Sequence, residues 1–202
     1  MVLNLAVFVM VMAAWLRMMF VFENGVLTSR GIASLKYFTV LSNLLEGAVS
    51  LALAAALLFR RQDGRFFHLL KYMGAVSVGL TFFTVVGFLG PLYGYRAMFR
   101  GANLWLHLVV PLLAMAEFMF LNDVPMTWRD NLLAVLPMLC YGMFYLANNL
   151  LNGTGTGRST NDFYGFLHWG LPAGLFIFAA LILSTFLVGL GLRLGNRRSK
   201  KE

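Results

Sequence analysis

Apolar residues fall along this chain in six long runs, each close to the length that crosses a hydrocarbon core of about 30 Å as a helix. Hydropathy and breaker residues predict helices over about 3–22, 36–59, 72–89, 103–121, 131–151 and 167–192. Between them lie polar segments: Glu23 to Leu35 with Asn24-Gly25 as its turn signal, the charged run Arg60 to Arg65, the stop at Gly90-Pro91, and Asn122 to Asp130. A glycine-rich segment, NGTGTGRSTND, precedes the aromatic approach Phe163 to Trp169, and the chain closes on the basic tail NRRSKKE. Pro111 is expected to kink the fourth helix.

The polar residues inside these runs follow a helical period. In KYFTVLSNLLE, Thr39, Ser42, Asn43 and Glu46 stand at i, i+3, i+4 and i+7, on one stripe of the second helix. A central acidic or basic side chain costs roughly 2.5–3.5 kcal/mol on insertion scales, so the stripe is expected to face the bundle interior or a watery cavity. Ser77, Thr81 and Thr84 share a side of the third helix; Asn103, His107 and Glu117 follow one stripe of the fourth; Tyr141, Tyr145 and Asn148 follow one of the fifth.

Composition changes the picture in one respect. With 202 residues, 60% hydrophobic and 12% charged, and a mean hydropathy of +0.77, the chain is read as an all-α polytopic membrane protein. It forms a single domain over 1–202, a six-transmembrane-helix bundle. The net charge of +8 fits loop charges that set orientation; no basic stretch is interleaved with aromatics, so no nucleic-acid partner is expected. Six spans put both ends on one side. Counting Arg60, Arg61, Arg65, Lys71, Arg129, Arg193, Arg197, Arg198, Lys200 and Lys201 against Arg30, Lys36, Arg96, Arg100 and Arg158 makes that side cytoplasmic, N-in and C-in. Arg17 lies late in the first run, which is read as a retained helix in which Arg17 snorkels to the interface. The lone Cys140 forms neither a disulfide nor a multi-cysteine metal site.

In this orientation Thr39, Ser42, Asn43, Thr81, Thr84, His107, Tyr145, Asn148 and His168 converge in the outer half of the bundle. A hydroxyl beside an imidazole is the minimal nucleophilic pair, Thr39 attacking while His107 takes its proton. Asn43, Ser42, Tyr145, Asn148 and His168 are the candidate substrate or oxyanion contacts. The bland readings are a Thr bonded to its own backbone, a His joining two helices, and His168 beside Trp169 as an interfacial residue. No His, Cys or carboxylate cluster has metal-ligand spacing, NGTGTG lacks a phosphate loop's Gly-Lys-Ser/Thr ending, and no metal or cofactor is expected. Glu46 is expected either to pair with Arg17 or to stay neutral, and Glu117 to be structural or interfacial.

The two segments KYFTVLSNLL and LWLHLVVPLLAMAEFMF resemble the androgen-induced and FAR-17a family of six-helix membrane proteins and its bacterial relatives. The resemblance implies an intramembrane hydrolase of fatty-acid esters, with Thr39 at the family's threonine position and His107 at its histidine. The chain is shorter than those relatives, and Leu106 and Leu108 flank His107 where they have a more polar surround. The expected partners are membrane lipids and a lipid ester substrate, in a bacterial cytoplasmic membrane. Two other functions remain open at this point: a lipid acyltransferase sharing the same residues, and a non-enzymatic lipid or solute carrier.

Overall fold

The computed structural model describes residues 1–23, 26–28, 30–59, 64–155 and 160–199. The Asn24-Gly25 turn signal, most of the charged run at 60–63, residues 156–159 of the glycine-rich segment and the end of the basic tail lie outside the described residues. Among the described residues, six helices are long and apolar enough to cross a membrane, and the chain is an all-α integral membrane bundle. They are α1 (Val2–Met19), α2 (Phe38–Leu58), α3 (Arg65–Tyr93), α4 (Ala102–Leu121), α5 (Trp128–Asn152) and α6 (Leu171–Ser199). The centre is α3, which packs on α2, α4 and α6, while α1 packs on α2. Its residues Tyr72, Ala75, Val76 and Val78 are buried, and the Tyr72 ring stacks on Phe118 of α4 at 4.8 Å.

Several boundaries differ from those the sequence suggests, each for a physical reason. Helix α1 ends at Met19, and the next segment pairs as a short antiparallel ladder, Val21–Glu23 with Val26–Thr28, followed by a 3-10 helix over Arg30–Lys36. Helix α3 starts at Arg65 rather than Tyr72. Lys71 is therefore inside the bundle, between Glu46 of α2 and Glu117 of α4, and not a loop charge. Without Lys71 the count stands at nine basic residues on the side of the two chain ends against five on the other. Helix α5 starts at Trp128, where Thr127 and Asp130 form a capping box. Residues 163–170 are a loop and not the start of α6: the Asp162 carboxylate accepts the Leu167 N–H at 3.1 Å and binds the Tyr145 hydroxyl. Gly170, at φ 90°, then turns the chain into α6. That helix continues to Ser199, where Asn196 Nδ2 donates to the carbonyls of Phe118, Met119 and Asn122 at the end of α4.

Gly90-Pro91 does not stop α3. The helix widens to π geometry over Val85–Leu89 and continues to Tyr93, and Gly94 at φ 87° ends it. Helix α4 does the same over Trp105–Val109, just before Pro111. The two prolines pose one problem, an i→i−4 register with a missing donor. In each helix the residue before the proline gives its N–H to a carbonyl five residues back, Gly90 to Val85 and Val110 to Trp105. The proline has no N–H for the carbonyl that follows, Val86 or Leu106. A side chain fills each gap: Tyr95 Oη donates to Val86 O at 2.8 Å, and Asn43 Nδ2 donates to Leu106 O at 3.0 Å.

Candidate functional site

The predicted stripe of α2 does face inward: Ser42, Asn43 and Glu46 are buried and Thr39 is half-buried. Helix α2 opens without a side-chain cap of its own; the Phe38 N–H donates instead to Tyr164 Oη at 2.9 Å. Burial pushes the Tyr164 phenol up to about 12, so it stays neutral at physiological pH. Thr39 is in the first turn after this junction.

There it lines an apolar cavity of about 420 Å³ between the start of α2, the outer half of α3, α5 and α6. That volume falls in the ~300–1,000 Å³ range of small-molecule sites. The walls are mostly apolar, with Phe and Leu the commonest apolar residues and Thr39, Thr81, Thr84, Tyr141, Tyr164 and Ser184 as the polar exceptions. Phe83, Phe88 and Phe176 on its rim are exposed, so the cavity opens sideways, toward lipid. Beneath Thr39, Ser42 Oγ lies 3.1 Å from Thr39 O and 3.2 Å from Thr81 Oγ1, which joins α2 to α3 under the cavity floor.

His107 is buried in the π-helical turn of α4, with Nδ1 2.7 Å from Met98 O. A carbonyl only accepts, so Nδ1 carries the proton and Nε2 of the neutral ring holds the lone pair. This is the tautomer a general base requires. Asn43 connects the two candidates. Its amide donates one proton to Thr39 O at 2.8 Å and the other to Leu106 O at 3.0 Å, fastening the turn that carries Thr39 to the turn that carries His107. Both amide protons are then spent, leaving Asn43 as a clamp rather than an oxyanion donor. Among the described residues no hydrogen bond joins Thr39 to His107, and His107 is not on the cavity wall.

The other candidates are elsewhere. Tyr145 is buried among aromatic rings and bound to Asp162; Asn148 accepts from Asn152 Nδ2 at 2.9 Å; His168 is exposed, its ring 5.5 Å from Trp169. None of the three lines the cavity. Arg17 is exposed, and the partner of Glu46 is Lys71, which corrects the expected pairing. Lys71 Nζ lies 2.5 Å from Glu46 Oε1, 2.6 Å from Ser50 Oγ and 2.8 Å from Glu117 Oε2. Sequence reasoning missed Lys71, Ser50, Met98 and Asp162. Ser50 had a signal, because it extends the stripe four residues beyond Glu46. No three His, Cys, Asp or Glu side chains among the described residues assemble to hold a metal ion. Comparison with protein-family models, curated proteins and solved structures finds no match to this chain.

Proposed function

We propose that the protein is an intramembrane lipid-ester hydrolase, with Thr39 as nucleophile and His107 as base. The observation that carries this reading is the placement of the Thr39 turn on the wall of a lipid-sized apolar cavity, clamped through Asn43 to the turn that presents His107 with Nε2 free of its proton. An acyl chain enters sideways from the bilayer and fills the cavity, bringing its ester carbonyl to Thr39. The Thr39 oxygen attacks the carbonyl carbon as Nε2 takes the hydroxyl proton, and the same proton passes to the departing alcohol. Water, deprotonated by Nε2, then cleaves the acyl-threonine to a fatty acid and restores the hydroxyl. Transfer to a second lipid alcohol uses the same residues and differs only in the acceptor. The resemblance of the α2 and α4 segments to the androgen-induced and FAR-17a family supports the same pair, and the compact loops fit a bacterial cytoplasmic membrane.

A second reading, a lipid-binding protein without turnover, is favoured by the lack of a hydrogen bond between Thr39 and His107. The two separate in nanodiscs supplied with a long-chain fluorogenic ester. A hydrolase loses at least a hundredfold in turnover on Thr39→Ala and on His107→Ala while lipid binding persists; a binding protein shows no turnover above that of empty nanodiscs.

A further inference from the structure

The cluster beneath the clamp has a charge imbalance. The Lys71 ammonium donates to Glu46 Oε1 and Ser50 Oγ and forms an ion pair with Glu117 Oε2 at 2.8 Å. Two carboxylates face this one cation inside an apolar bundle, where a net charge is strongly disfavoured. Their surroundings differ. Glu46 is fully buried, and its Oε2 rests against Gly74, where a Cβ would overlap it; among the described residues neither this oxygen nor Glu117 Oε2 has a hydrogen-bond donor, so burial is what separates the two carboxyls. Glu117 lines a second cavity of about 190 Å³ at the inner end of the bundle, together with Asn4, His68, Lys71, Asn122 and Asp123. A cavity of that volume, lined by these polar groups, has room for several waters. Asn4, itself 8% exposed, contributes a further buried acceptor without a donor, its Oδ1.

We infer that Glu46, Lys71 and Glu117 form a proton-binding site, in which Glu46 holds one proton on Oε2 and Glu117 exchanges it with the inner aqueous face through this cavity. The held proton makes the cluster neutral: a cationic Lys71, an anionic Glu117 and an uncharged Glu46. The other titratable groups facing it are His68 of α3, whose Nδ1 is 2.8 Å from Asn122 Oδ1, Asp123 after α4, and the chain's amino end at Met1, which also lines the cavity. On α2, Ser50 Oγ donates to Glu46 Oε1 at 3.3 Å, and no other ionisable side chain of that helix is present. The site is separate from the Thr39–His107 pair and stands whether or not the protein hydrolyses esters.

Infrared spectroscopy of the full chain in nanodiscs, with carbon-13 glutamate to confine the signal to glutamates, tests it. At neutral pH the wild type is expected to show the carbonyl stretch of a protonated carboxyl, and the band should shift in D2O. Charge balance makes a sharper demand on the variants. Both Glu46→Gln and Glu117→Gln should lose the band, because one remaining carboxylate balances Lys71 and ionises; Lys71→Met should double it. A wild type without the band, a band that does not shift in D2O, or a band that survives Glu117→Gln overturns the assignment. If a variant fails to fold, the labelled wild type alone still decides through the presence of the band and its D2O shift.

Discussion

Replacing Asn43 with Leu removes both amide donors at nearly constant volume, and the two acceptors respond differently. Thr39 O keeps Ser42 Oγ at 3.1 Å and loses little. Leu106 O keeps nothing: Val110 has given its N–H to Trp105 O, and Pro111 has none to give. A buried acceptor left without a donor costs about 1–3 kcal/mol, while side-chain bonds between membrane helices average about 0.6 kcal/mol and reach about 1.7. A loss of about 1–2 kcal/mol is therefore expected, read from equilibrium unfolding in mixed micelles with SDS. The donor argument is tested by a double-mutant cycle. Pro111→Ala restores a backbone N–H opposite Leu106 O, so Asn43→Leu should cost about 1 kcal/mol less in that background than in the wild type. An equal cost in both backgrounds would refute the view that Asn43 repairs the carbonyl that Pro111 leaves open.

The same device in α3 predicts that Tyr95→Phe, which frees Val86 O at an exposed position, costs about 0.5–1 kcal/mol in the same unfolding assay. Gly74→Ala pushes a methyl group into Glu46 Oε2 and should cost about 1–3 kcal/mol, as overpacking does, with a matching fall in melting temperature. Ala180→Trp projects an indole from α6 into the 420 Å³ cavity; lipid-ester turnover and acyl-chain binding should both fall at least tenfold, while unfolding shifts by under about 1 kcal/mol because Ala180 is exposed on the rim.

The six helices were legible because hydropathy over about twenty residues is a strong signal in a solvent that satisfies no backbone group. The inward face of α2 was legible for a similar reason, since Thr39, Ser42, Asn43 and Glu46 repeat at the period of the helix. What failed was the reading of single charges. Lys71 reads as a loop residue because its partners, Glu46 and Glu117, lie 25 and 46 residues away in sequence on other helices, and nothing local announces them. The π-helical turns carry no hydropathy signature either, since they alter the hydrogen-bond register and not the apolar pattern. From sequence, Pro91 reads as a stop and Pro111 as a kink. The structure carries α3 past Pro91, shifts the register before both prolines and fills each open carbonyl from a side chain. Asp162 ends the glycine-rich segment, and its carboxylate holds Tyr145 and the Leu167 N–H, and through them the loop whose Tyr164 caps α2.

The account depends most on Thr39 being an activated nucleophile beside a lipid cavity. Reaction of the purified protein with a lipophilic fluorophosphonate, followed by peptide mass spectrometry, measures this without knowing the natural ester. The account predicts a stoichiometric adduct on Thr39 that disappears in His107→Ala and is outcompeted by a long-chain fatty acid. Folded wild type that takes no label, or labels Thr39 equally well without His107, would contradict it.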